Sequence, residues 1–282
     1  MRPPAEALAW CERTLGRGAR IIRWRRLTGG LTSAVHELTV DLRGRREPFV
    51  LRRWLNDYAP VASESAALTA LADTDIPAPR LVGSTTDAVL MTRVPGRMLL
   101  MPRDRDRWLA QMAQMLARVH AQRITVKPFE SWLEHKTPPS DATRPKIWRE
   151  AFAIVSRDPP RGPTCFLHRD FQHFNLLWSR ERLTGVIDWV EASVGPPEVD
   201  VGHCRLNLAL LFSVDVAERF RELYEAESGR ALDPWWDIHA LLSYDASWKQ
   251  FLPLQIGNRA PFDAAGATIR VEETPARSLR RL

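Results

Sequence analysis

Residues 165–178, which read CFLHRDFQHFNLLW, and the Val186-Ile187-Asp188-Trp189 that follows constrain this chain more than any other stretch. Asp170 follows His168-Arg169 after a short apolar run, and Asn175 stands five residues further on. Asp188 closes a second apolar run, where a strand-end carboxylate belongs. Together these residues supply a carboxylate able to orient an attacking hydroxyl and take its proton, and two oxygen ligands suited to Mg²⁺.

Composition narrows the class. A chain of 282 residues can bury a substantial core, as one large domain or as two lobes. With 45% hydrophobic and 26% charged residues it reads as globular rather than disordered. The longest apolar stretch, 208–212, is far shorter than the roughly 20 residues of a membrane span. The N-terminus carries no signal-peptide core, so cytoplasmic residence and no membrane partner are expected. Cys11, Cys165 and Cys204 are scattered, without paired metal spacing, so neither a disulfide framework nor a zinc site is expected. The net charge of +6 raises nucleic-acid binding. The arginines are interleaved with acids instead of forming a stripe, so no nucleic-acid partner is expected.

The run from Phe166 to Trp178, the Val186-Ile187-Asp188-Trp189 segment, and Gly195-Pro196-Pro197-Glu198 with Asp200 resemble the aminoglycoside phosphotransferase family. That family includes choline, homoserine, fructosamine and macrolide kinases and shares the protein-kinase-like fold. The resemblance covers about 27–251. It implies an α+β, two-lobed chain, with a small antiparallel-sheet N-terminal lobe over residues 1–94 and a mostly helical C-terminal lobe over 95–282. It implies ATP and Mg²⁺ as cofactors and a small-molecule hydroxyl as acceptor. Asp170 is then the catalytic base, and Asn175 and Asp188 hold the metal. His168 supports the loop and the backbone near Asp188, and Asp200 accepts hydrogen bonds from the loop backbone. Asp188-Trp189 in place of Asp-Phe-Gly, and the short span from Trp189 to Gly195, point to small-molecule rather than protein acceptors. Gly195 is expected to allow a tight turn. The family has Pro-Gly before the metal asparagine; this chain has His173-Phe174, a bulky pair that could crowd the acceptor side.

Alternating patterns place strands at 21–27, 34–41, 48–54 and 88–94, with a glycine turn at 28–33 between the first two. By the resemblance, Gly29, Gly30 and Ser33 lie over the phosphates. Only four lysines exist, Lys127, Lys136, Lys146 and Lys249, so the strand cation of a kinase is here an arginine or is absent. The resemblance places Arg52 at that position with Val50 beneath the base; alternation puts those two on one face and Arg53 on the other, towards solvent. Glu64, early in a helix at 63–71, either pairs with Arg52 or complements the helix dipole. Backbone groups from Thr92 to Val94 face the adenine, Met91 lies behind it, and Pro95-Gly96 forms the hinge.

Beyond the hinge, 104–122 reads as an amphipathic helix with a core methionine stripe, and His120 at its end as structural. A helical patch follows near 146–155. Residues 201–226 and 234–251 read as helices, and the last fifteen or so residues as a loosely held tail. Acids at Glu222, Glu225, Glu227, Asp233, Asp237 and Asp245 read as a solvated face rather than a cleft for polycations. Trp235, Trp236, Tyr244, Trp248 and Phe251 divide between core and the wall of a pocket for a flatter acceptor. The competing reading is a degenerate kinase fold that binds nucleotide or a partner without turnover. The sequence does not fix the oligomeric state.

Overall fold

The computed structural model describes residues 2–27, 33–55, 59–131, 133, 137–244 and 248–281. In chain order the elements are α1 (Ala5–Leu15), β1 (Ala19–Arg26), β2 (Ser33–Leu42), β3 (Arg45–Trp54), α2 (Val61–Leu71), β4 (Leu81–Ser84), β5 (Ala88–Thr92) and α3 (Arg105–His120). They continue with α4 (Pro145–Val155), β6 (Cys165–Leu167), a 3₁₀ turn (His173–Asn175), β7 (Leu176–Ser179), β8 (Arg182–Val186) and β9 (Ser193–Gly195). The chain closes with α5 (Glu198–Leu211), α6 (Val214–Ser228), α7 (Pro234–Leu241), α8 (Trp248–Ile256) and α9 (Ala264–Leu279).

The first five strands form one antiparallel sheet in the order β1-β2-β3-β5-β4. β2 and β3 are joined by Arg43-Gly44, both at positive φ, the geometry that matches a two-residue hairpin to strand twist. Asp41 Oδ1 accepts the Gly44 N–H at 2.7 Å and closes that turn. The rest of the chain is helical apart from the β6–β9 pair and the β7–β8 hairpin. The α+β architecture expected from sequence is therefore present.

The helical part is organised around α5, whose residues are nearly all buried and which meets α6, α7 and α9. Asp104 caps α3 by accepting the Arg107 N–H at 2.9 Å, and the apolar stripe of α3 packs inward with Met112 and Met115 buried. His120 is structural, as expected: its ring nitrogens meet the Tyr224 hydroxyl at 2.6 Å and Asp200 at 3.1 Å.

The sheet and the helical part are joined where Pro95-Gly96 meets the β7–β8 hairpin. Arg97 and Trp178 exchange backbone hydrogen bonds at 3.0 and 2.8 Å, and Thr184 Oγ1 donates to the Pro95 carbonyl at 2.7 Å. Gly96 has φ +121°, and a Cβ there would stand 2.5 Å from Thr184 Oγ1. Only glycine fits that crossing.

Several expectations are corrected. The helix expected over 201–226 is two helices, because Ser213 breaks the run and caps α6 by accepting the Val216 N–H. The last residues are not a loose tail. α9 buries Ala267, Val271, Glu272 and Ser278 against α5, α7 and α4. Gly195 makes no turn; it lies in β9, where a Cβ would meet Phe129 Cβ at 2.5 Å, so its role is close packing. Arg53 does not point to solvent but pairs with Asp87 at 3.1 Å. Asp237, read as a solvated acid, is buried against Arg205, Ser278 and Arg281.

Candidate functional site

The segment between β6 and β8 brings the polar motif together. Asp200, fully buried at the start of α5, accepts the backbone N–H groups of His168 at 2.8 Å and Arg169 at 2.6 Å. Burial alone would raise the Asp200 carboxyl, but the hydrogen bond and charge of His120 outweigh it and hold it below the usual range. Arg169 adopts φ +73°, its guanidinium stacked over the Phe129 ring at 4.7 Å. His168 Nε2 lies 3.0 Å from the Ile187 carbonyl, beside Asp188. This frame fixes the loop that presents Asp170.

Asp170 is partly exposed, with its side chain 31% accessible. Its Oδ1 lies 2.6 Å from Gln172 Nε2 and 2.8 Å from His203 Nε2, and its Oδ2 receives Asn175 Nδ2 at 2.8 Å. Burial of the carboxyl raises its pKa, but the hydrogen bond from His203, with His168 and Asn175, holds it below the usual carboxylate range. Asn175 Nδ2 also donates to the Asp170 carbonyl at 2.9 Å. These two acceptors assign the amide orientation and leave Asn175 Oδ1 unengaged among the described residues.

Asp188, at φ +69°, is reached from the sheet by Arg52. Arg52 Nη1 stands 2.7 Å from Asp188 Oδ1 and 3.0 Å from Glu64 Oε1, and Arg52 Nε donates to Ser33 Oγ at 3.0 Å. Glu64 therefore pairs with the strand cation rather than only complementing its helix. Burial opposes the charged form of Arg52, but the two carboxylates outweigh it and raise its pKa above the ordinary value. Burial pushes Glu64 up to about 7 against the pull of Arg52, and the charge of Asp188 adds to the rise. One guanidinium serves two carboxylates, and Glu64, the more deeply buried, is the one left wanting.

A cavity of about 340 Å³ opens on these groups. Arg52, Asp170 and Asp188 lie on one side, and Trp54, Trp248 and Phe251 supply apolar wall. Glu191 also lines it but is paired with Lys127 at 3.3 Å. Trp235, Trp236 and Tyr244 are buried in the core instead. His173 and Phe174 do not crowd the cavity: both are buried with rings 4.2 Å apart, His173 against Trp108 and Phe212, and Phe174 in the core with Leu206 and Leu210. All three cysteines are free and buried, and burial pushes the Cys11 thiol up to about 12.

The remaining candidates are less concentrated. Gly29 and Gly30 lie outside the described residues. Ser33 is buried and its hydroxyl accepts from Arg52. Val50 shares the Arg52 face and pairs with Met91 in register. Thr92 already gives its N–H to the Arg80 carbonyl at 2.9 Å and receives the Arg80 N–H on Oγ1 at 2.8 Å. Val94 packs against Gly185, where an added Cβ would meet it at 2.3 Å. Sequence reasoning missed Gln172 and His203. The signal for His203 was available, since it lies three residues beyond Asp200 and so on the same helix face.

The family model described as the phosphotransferase enzyme family matches residues 23–239. The chain belongs to that family. A search of curated proteins finds none that matches this family member in sequence. Its fold is shared with aminoglycoside phosphotransferase APH(4)-Ia, at 16% identity and TM-score 0.64 over 98% of this chain and 99% of that one. It is shared with macrolide 2'-phosphotransferase MphH from Brachybacterium faecium, at 18% identity and TM-score 0.58 over 99% of each chain. APH(2")-IIa, solved in a ternary complex with streptomycin and ATP, aligns at 15% identity and TM-score 0.55 over 93% of each chain. Among the described residues no helix is long and apolar enough to cross a membrane.

Proposed function

We propose that this phosphotransferase moves the γ-phosphate of ATP, bound with Mg²⁺, to a hydroxyl of a small molecule. The observation that carries the reading is the juxtaposition of Asp170, Asp188 and Arg52 around one cavity, with Asn175 hydrogen-bonded to Asp170 behind it. The residues fit the metal. Asn175 offers an unengaged amide oxygen, Asp188 a partly exposed carboxylate, and the Arg52 guanidinium already stands on Asp188 as a monovalent cation would. Two hard oxygen donors, with phosphates and water completing the shell, is the pattern Mg²⁺ uses. When bound, the metal neutralises charge on the β- and γ-phosphates. Asp170 orients the acceptor hydroxyl and takes its proton as the new O–P bond forms. Arg52 passes from Asp188 towards the phosphates, a grip that an arginine makes bidentately.

The cavity also bears on the acceptor. Its size lies in the small-ligand range of about 300–1,000 Å³. Among its described lining residues, Glu191 is the one carboxylate beyond Asp170 and Asp188, and Lys127 neutralises it. A polycation needs more unpaired acids than that. The acceptor is therefore a hydroxyl compound with an apolar or flat face and little positive charge.

The second reading, nucleotide binding without turnover, draws on one observation: Arg52 replaces the usual lysine and sits on Asp188. One experiment separates the two. Mg·ATP turnover is followed by mass change over a panel of aminoglycosides, macrolides, choline, homoserine and sugars, with Asp170→Asn as control. We expect a phosphorylated product from a weakly charged acceptor and a fall of about 10²–10⁴ in kcat for the variant. No product with any acceptor, and no Mg²⁺-dependent ATP binding, sinks the catalytic reading.

A further inference from the structure

We infer that His203 is a positioning residue which, with Gln172, clamps Oδ1 of Asp170 and leaves Oδ2 as the oxygen that meets the acceptor hydroxyl. The inference rests on the phosphotransferase reading and adds to it which carboxylate oxygen reacts and what holds it.

A carboxylate oxygen has two in-plane lone pairs. Oδ1 of Asp170 spends both, one on Gln172 Nε2 at 2.6 Å and one on His203 Nε2 at 2.8 Å. Oδ2 spends one, on Asn175 Nδ2 at 2.8 Å, and keeps one. A nitrogen 2.8 Å from an ionised carboxylate oxygen must donate, so His203 carries its proton on Nε2.

The clamp is held from behind. His203 lies on α5, one turn from Asp200, which is fully buried and bonded to the backbone on the N-terminal side of Asp170. Helix and loop therefore move as one piece. The His203 side chain is 12% accessible, with the Trp248 ring edge-on at 6.2 Å. Asn207, one turn further along α5, donates its amide N–H to the His203 carbonyl at 3.0 Å. His203, Asn207 and Trp248 all line the cavity, so the clamp forms part of the wall against which the acceptor rests.

Loss of His203 leaves Oδ1 held by Gln172 alone and lets the Asp170 carboxylate shift, while Asn175 retains its bond to the Asp170 carbonyl. The effect should fall on the chemical step rather than on nucleotide binding.

The test compares His203→Ala and His203→Gln with the wild type. It measures kcat, the Mg·ATP dissociation constant and thermal melts, and the ¹⁵N spectrum of the wild-type imidazole is recorded separately. We expect His203→Ala to lower kcat about 100-fold, as misplacement of a reacting group does. Mg·ATP affinity should stay within about two-fold. Glutamine offers a neutral N–H at a similar reach and should recover about ten-fold of the loss. The spectrum should show the Nε2–H tautomer, and Asp170→Ala should shift its signals. The proposal is overturned by unchanged kcat in His203→Ala, by a folded His203→Gln no better than alanine, or by an Nδ1–H tautomer. If the wild type turns over no acceptor at all, the phosphotransferase reading fails, and the spectrum alone still decides whether His203 holds Asp170.

Discussion

Arg52 shows how much one side chain can settle. The family resemblance singled it out as the strand cation, and strand alternation added the face it shares with Val50. Its pairing with Glu64 was one of two readings the sequence left open, and its bond to Asp188 was not legible, since that residue lies 136 positions away. Removing it strands Glu64, 2% accessible, without a counter-charge. Arg52→Ala should destabilise the fold by about 3 kcal/mol. Arg52→Lys should fall between, because one ammonium cannot span both carboxylates as a guanidinium does. Urea unfolding of both variants checks the order, and an alanine variant as stable as wild type would contradict the pairing. His173 is the converse case, a polar group with nothing to bond. It is fully buried, and among the described residues neither ring nitrogen has a partner. Burial pushes its pKa from 6.5 down to about 3. His239 is likewise lowered to about 4, by burial and then by Arg169. The folded state thus binds fewer protons than the unfolded chain below pH 6.5, so stability is full above that value and drains as pH falls. A melting series should show Tm dropping from pH 6.5 towards 4, and His173→Phe should flatten the drop.

At the scale of elements, sequence periodicity placed most helices and strands, and it failed where a long-range partner decides. Chain-terminal position made the final segment look loose. Glu272 shows why it is not. It is fully buried and accepts the backbone N–H groups of Thr143 at 2.8 Å and Arg144 at 3.0 Å, and Trp148 Nε1 at 3.0 Å. The Thr143 hydroxyl bonds it as well. Arg144 at the start of α4 provides no side-chain cap, so an acid from α9 supplies one across 128 residues of sequence. No local pattern reveals a cap borrowed from that distance. Glu272→Ala should cost about 3 kcal/mol by leaving those donors buried and unpaired. The midpoint of denaturant unfolding measures it, and a shift under about 0.5 kcal/mol would return α9 to the status of an appendage. The split of 201–226 at Ser213 has a simpler cause: an N-cap serine inside a continuous apolar run is easily read through.

For the molecule as a whole, the family resemblance and the matched family model agree, and the small sheet and helical part follow from it. What the sequence could not reveal is how charge is balanced across the junction before nucleotide arrives. Arg52 bridges from the sheet to Asp188, so under the proposed function binding of Mg·ATP exchanges that contact for others. Ligand at one hundred times its dissociation constant should add about 2.7 kcal/mol to stability. Differential scanning should show a larger Tm rise with Mg·ATP than with ATP alone, and Asp188→Asn should erase the difference. An equal rise in both proteins would remove Asp188 from the metal.

The stapled crossing at Gly96 sets the mechanics. The β7–β8 hairpin that grips the hinge begins at Leu176, directly after Asn175, and ends at Val186, two residues before Asp188. Both proposed metal ligands therefore flank the segment that joins the sheet to the helical part. The Pro77 carbonyl accepts the Val186 N–H at 2.9 Å, so that segment is tied to the sheet side a second time, and Arg52 reaches Asp188 across a junction already fixed in backbone.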